Sequence, residues 1–162
     1  MPAAVATTAD PDRTWAAVSF LEKYRLHREL YQRLYGATRY DRPTRALTIR
    51  AHCVRAVMVP PLLGAAAHAV LGNRRLPIYT VGGGSTMRWV FLSACPTPHD
   101  DVDRLEIEML RVPVTTVGAG AELALPTPGD GRRIWMYGPP DGTEPLPPFV
   151  DITEAVSRSR RG

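Results

Sequence analysis

Between Thr14 and Tyr35 the apolar positions recur with a helical period. At 100° per residue, Phe20, Tyr24, Leu26, His27, Leu30, Tyr31, Leu34 and Tyr35 fall on one half of the wheel, and Glu22, Arg25, Arg28, Glu29, Gln32 and Arg33 on the other. The spacing predicts a long amphipathic helix, with Arg25/Glu29 and Glu29/Arg33 as i,i+4 pairs on the wet side and Gly36 as its terminator. An apolar face covering half the circumference exceeds what a small sheet covers. Phe20, Tyr24, His27, Tyr31, Leu34 and Tyr35 are therefore the candidate contacts to a protein partner, a second copy of the chain above all. His27 and the tyrosines also fit a plain core stripe. Residues 1–12 are small and polar without periodicity and read as a flexible N-terminal arm; residues 13–160 read as a single domain.

Beyond Gly36 the period shortens to two. ATRYDRPTR reads as a loop, since Pro43 rules out a continuing helix, and ALTIRAH and VRAVMVP as two short strands with a tight connection near Ala51 to Cys53. Pro60 and Pro61 open a helix over LLGAAAHAVL that Gly72 and Asn73 stop. LPIYTV and MRWVFLSA flank GGGST as a hairpin, and alternation puts Trp89, Phe91 and Ser93 on one face and Val90, Leu92 and Ala94 on the other. HDDVDRLEIEMLR is a helix capped by Asp100, with Asp101 and Asp103 favourable at its positive end. VPVTTV and AELALP pair around GAG; RRIWMY is a last strand, followed by a Pro-rich crossing from Gly138 to Pro148 and a short helix from Phe149 to Arg158. The order α, ββ, α, ββ, α, βββ, α predicts an α+β fold: a mainly antiparallel sheet of about six or seven strands with helices packed on it.

Composition adds constraints. The longest apolar stretch, Ala56 to Leu71, is broken by Pro60, Pro61, Gly64 and His68, so no segment spans a membrane. The start lacks a basic n-region and an apolar h-region, which leaves the cytoplasm as the expected location and Cys53 and Cys95 as free thiols. A net charge of +4 and a pI near 9.4 raise a nucleic-acid partner, although Lys23 is the only lysine among 20 basic residues and the arginine bias is partly compositional. From Glu22 to Arg55 nine basic residues face three acidic ones. Within that stretch Arg39, Tyr40, Arg42 and Arg45 are the candidates for gripping phosphates and stacking a base.

Catalytic constellations are weak. His52, Cys53, Cys95 and His99 contain the inventory of a Cys2His2 zinc site, but adjacent His52 and Cys53 on a strand point to opposite faces. Cys95 precedes a proline and has no helix N-terminus directly after it to activate it as a nucleophile toward His99. Helix capping accounts for Asp100, Asp101 and Asp103 without a divalent ion, and GGGST lacks the lysine of a phosphate loop. No catalytic residue, metal or cofactor is assigned.

RWVFL at 88–92, LALPTPG at 123–129 and IWMYGPPDG at 134–142 carry a resemblance. An R-W-x-F-L strand, an L-P-x-P segment and a W-x-x-x-P-P stretch in this order resemble a group of small actinobacterial proteins of unknown function. They are also similar to the C-terminal part of bifunctional DNA primase/polymerase-like proteins, over roughly Val54 to Val156. That resemblance implies a nucleic-acid partner. It implies no activity, because the family's D-x-D pair on a strand with a downstream His is missing, and the nearest string, Asp101 to Asp103, begins a helix. The leading reading is a non-catalytic protein-interaction or accessory domain, self-associating or part of a complex. The alternative is a nucleic-acid-binding primase-polymerase-like remnant without catalytic residues, and the second alternative a small enzyme using Cys95/His99 or the carboxylates.

Overall fold

The computed structural model describes residues 19–160. The expected arm at 1–12 and the start of the first helix at 14–18 lie outside the described residues. Helix α1 is Phe20–Tyr35: the Ser19 hydroxyl accepts from the Glu22 N–H, and Gly36, at φ +89°, ends it in a conformation that favours glycine. A three-stranded sheet follows, made of β1 (Thr38–Asp41), β2 (Ala46–Arg50) and β7 (Glu122–Leu125) in the order β1-β2-β7. A five-stranded sheet holds β3 (Val54–Val59), β4 (Ile78–Val81), β5 (Arg88–Ala94), β6 (Thr115–Val117) and β8 (Arg133–Trp135), in the order β6-β3-β5-β4-β8. Every pairing is antiparallel. The remaining helices are α2 (Pro61–Val70), α3 (Val102–Met109) and α4 (Phe149–Ser159).

VRAVMV and RWVFLSA are apolar on both sides of their pleat because both faces of the five-stranded sheet are covered. Val57, Val59, Ile78 and Phe91 pack with Ala67 of α2, Leu105 and Met109 of α3, and Ile152 and Val156 of α4. On the other face Val54, Ala56, Tyr79, Val90 and Leu92 pack with Leu47, Ile49, Leu123 and Leu125 of the three-stranded sheet and with Tyr31 and Tyr35 of α1. The alternation expected for the Trp89–Leu92 strand is the one observed. The molecule is thus layered: α1 with the small sheet, then the large sheet, then α2, α3 and α4.

Phenol and indole groups tie the upper two layers together. The Tyr31 hydroxyl donates to the Pro126 carbonyl at 2.5 Å and accepts from the Trp135 indole N–H at 2.8 Å. The Tyr79 hydroxyl, on the large sheet, donates to the Ala124 carbonyl of the small sheet at 2.9 Å.

The α+β class, the antiparallel pairing and the packed helices follow the sequence reading, with eight strands divided between two sheets. Three details differ. Residues 51–53 and the Gly118–Gly120 turn do not close hairpins; each carries the chain from one sheet to the other. They are locked to one another by Ala51 N–H to Ala121 O at 2.9 Å and Gly120 N–H to Ala51 O at 3.0 Å. Strand β1 lies inside the stretch expected to be a loop, because an edge strand with exposed Arg39 and Tyr40 shows little apolar alternation. The α3 cap is Asp101, whose carboxylate accepts from the Arg104 N–H, whereas Asp100 holds the Thr97 N–H and hydroxyl in the preceding turn. Among the described residues no helix is long and apolar enough to cross a membrane.

Candidate functional site

The β1–β2 hairpin presents the basic segment. Its turn is closed by Asp41, whose carboxylate accepts from the Thr44 hydroxyl and from the Thr44 N–H at 3.1 Å, and by Arg45 at φ +52°. The two Thr44 hydrogen bonds hold the Asp41 carboxyl below the usual carboxylate range. Arg42 and Arg45 flank this turn, and both are exposed. Arg39, on β1, is engaged by the Glu122 carboxylate of β7. Tyr40 is 43% exposed and meets the ring of Tyr24 edge-on at 5.5 Å between centroids. The nucleic-acid candidates therefore share one hairpin, with Arg39 already paired.

Helix α1 packs on β1 and β2 and adds further arginines to the same layer. Arg25, Arg28, Arg33, Arg39, Arg42, Arg45 and Arg50 are all exposed on this layer. Of them only Arg25, bound to Glu29 at 3.6 Å, and Arg39 form ion pairs among the described residues. On α3 and α4 the balance has the other sign. Asp100, Asp101, Asp103, Glu106, Glu108, Asp151 and Glu154, on α3, α4 and the turn before α3, outnumber the four arginines of the same elements and their ends.

The expected protein-contact residues are divided. Tyr31 is fully buried and Tyr35 only 9% exposed. These two are core residues, which corrects the expectation for them: the large sheet and β7 cover this part of α1, so no partner reaches Tyr31. Tyr24, His27 and Leu34 are half-buried, and the His27 ring bonds the Lys23 carbonyl through Nδ1 at 2.8 Å. Phe20, at 58% exposure, keeps most of its surface in solvent.

The other constellations do not assemble. The Cys95 thiol donates to the His52 carbonyl at 2.9 Å, and His99 is exposed on the turn that follows. Among the described residues no group of three or more His, Cys, Asp or Glu side chains is placed to hold a metal ion. The glycines of GGGST form the connection between β4 and β5, with a 3-10 turn at Gly84–Thr86. Sequence reasoning missed Arg75 and the cleft under the Pro-rich crossing; its one signal was the density of prolines at 139–148, which marks a strap but not what lies beneath it. Comparison with family models, curated proteins and solved structures finds no match to this chain.

Proposed function

We propose that this chain is a non-catalytic binding domain that grips a nucleic-acid backbone with the basic layer of α1 and the β1–β2 hairpin. The observation that carries the reading is the set of seven exposed arginines on one layer. Most have no ion-pair partner among the described residues, and Tyr40, next to Arg39 in the chain, is exposed on the same hairpin. Arginines clustered on one face attract phosphates, and an exposed ring offers a base a stacking platform. The primase-polymerase-like resemblance at 54–156 points to the same partner class. The test is fluorescence anisotropy with labelled single-stranded and duplex oligonucleotides over about 50 to 300 mM salt. Replacing Arg42 and Arg45 with Gln should weaken binding and flatten the log–log salt slope by about 1.4 to 1.8, at roughly 0.7 to 0.9 per lost phosphate contact. Absence of binding at low salt, or an unchanged slope, would sink the reading.

A second reading, association with another copy of this chain, is favoured by a different surface from the one expected. Ile107 and Leu110 of the α3 end are 56% and 84% exposed and border Thr116 of β6, the edge strand of the large sheet. An uncovered edge beside apolar side chains is a site for strand addition. Sedimentation measurements distinguish it: a dimer abolished by Leu110→Asp supports this reading, and a monomer at all concentrations removes it.

A further inference from the structure

Alternation divides the three-stranded sheet into two faces. Leu47 and Ile49 of β2 and Leu123 and Leu125 of β7 point into the core, so Thr48 and Arg50, with their register partners Ala124 and Glu122, point away from it. Arg39 of β1 stands opposite Thr48 and shares that outer face. Glu122 is thus the register partner of Arg50 and the ion-pair partner of Arg39: one carboxylate on a face that carries two guanidiniums. Arg50 is exposed and forms no ion pair among the described residues. The other carboxylate on this face, Asp41, is held by Thr44.

The backbones on both sides of the Arg39–Glu122 contact are fixed. Strand β7 begins at Glu122, directly after the crossing locked by Ala51 N–H to Ala121 O and Gly120 N–H to Ala51 O. The Arg39 carbonyl is held from β2, where the Thr48 hydroxyl donates to it at 3.3 Å. The charged groups themselves stay wet, with 66% of the Arg39 side chain and 45% of the Glu122 side chain exposed. An ion pair in that setting is screened by salt and contributes little to folding, so it opens at small cost. A backbone phosphate accepts the same charge-assisted hydrogen bonds from a guanidinium as the carboxylate does, and can take its place.

We infer that Glu122 holds the place of a backbone phosphate beside Arg39 and Arg50, and that a nucleic acid gains the Arg39 contact only by displacing it. The inference rests on the proposed role of the basic layer and adds its regulation, a competitor for phosphate built into the sheet. Arg42 and Arg45, which form no ion pair among the described residues, meet phosphates without this competition. Arg39 contributes in proportion to how readily Glu122 lets go.

The experiment is an anisotropy titration of a labelled single-stranded oligonucleotide with the parent chain, Glu122→Gln, Arg39→Gln and the double variant. The pair is exposed, so all four keep the fold. Glu122→Gln should bind about two- to fivefold more tightly at low salt, the factor that an exposed ion pair is worth. Its log–log salt slope should steepen by about 0.7, for one added phosphate contact on a single strand. Arg39→Gln should cost more in the Glu122→Gln background than in the parent, since only there is the guanidinium free, and the double-mutant cycle reads this difference. Unchanged affinity in Glu122→Gln would overturn the inference. A gain that survives Arg39→Gln would overturn it too, because the effect would then be the loss of one negative charge and nothing more. In both cases a parent chain that binds, and that is weakened by replacing Arg42 and Arg45 with Gln, leaves the basic layer standing without Glu122. If neither the parent nor Glu122→Gln binds at low salt, the basic-layer reading falls and this inference with it.

Discussion

Tyr31 and Tyr35 stand one helical turn apart on α1, both buried, and removal of the same oxygen from each should have opposite consequences. The Tyr31 oxygen has two partners, the Pro126 carbonyl and the Trp135 indole N–H. Tyr31→Phe leaves both unpaired. A buried polar group left without its partner costs about 1 to 3 kcal/mol, and Trp135 is only half-buried, so the expected loss is about 2 to 4 kcal/mol. The Tyr35 oxygen has no partner to lose. Tyr35→Phe relieves an unmet desolvation and should be neutral or stabilising by up to about 1 kcal/mol. The difference between the variants, about 3 kcal/mol, is a large share of the roughly 5 to 15 kcal/mol that holds a domain folded. Urea unfolding at neutral pH reads it as a shift in midpoint at constant slope. Equal losses in the two variants would refute the reasoning. They would mean that the Tyr35 hydroxyl has a partner after all.

Gly64 lies inside α2 directly over Trp89, and a Cβ there would sit 2.8 to 2.9 Å from three indole carbons. Alanine normally gains about 1 kcal/mol over glycine in a helix, but overpacking costs about 1 to 3 kcal/mol, so Gly64→Ala should lower the melting temperature; a rise would show that the helix moves aside freely. At alkaline pH the buried phenols should weaken the fold. Burial raises the pKa of Tyr31, Tyr35 and Tyr79 above the unfolded value near 10, so the folded chain holds these protons more tightly than the unfolded one. Their contribution is complete below about pH 10 and is lost as pH rises beyond it. Stability measured by urea at stepwise higher pH should fall in that window, and tyrosinate absorbance from these three should arise only with unfolding. Stability constant past about pH 11 would contradict this.

Elements with one strong periodicity were legible in the sequence. The α1 stripe, the Pro60–Pro61 helix start and the alternation of RWVFL each state a local geometry that the fold keeps, because burial on a given face leaves few alternatives. Partner choice was not legible. VPVTTV and AELALP look like neighbours, yet β6 joins β3 and β7 joins β2, since a period of two says that a residue faces a core but not which of two cores. The same ambiguity applies to the tyrosines of α1, whose spacing fits a core stripe as well as a partner contact. The half-circumference apolar face of α1 looked excessive for a small sheet, and it is the second, larger sheet behind the first that absorbs Tyr31 and Tyr35. The basic hairpin was visible as composition, but the engagement of Arg39 by Glu122, 83 residues away, was not.

The two ends of α1 are held very differently, and the difference bears on the basic layer. The buried residues of α1 are Tyr31 and Tyr35, both in its last two turns, where Leu34 also seats the strap. Toward the N-terminus Phe20, Leu21 and Leu26 are exposed, and Tyr24 leans on Tyr40 rather than on the core. Local opening energy follows the apolar contacts that must be broken, so the first turns open at much less cost than the last. The arginines that would meet phosphates at Arg25 and Arg28 therefore ride on the adaptable end, and can adjust to a backbone of variable spacing without disturbing the Tyr31–Trp135 anchor. The opposite end of α1 is pinned by that anchor and by the close approach of Gly142 to Leu34. Tyr31→Phe, by loosening the anchor, should lower the stability of the fold while leaving the salt slope of the basic layer unchanged.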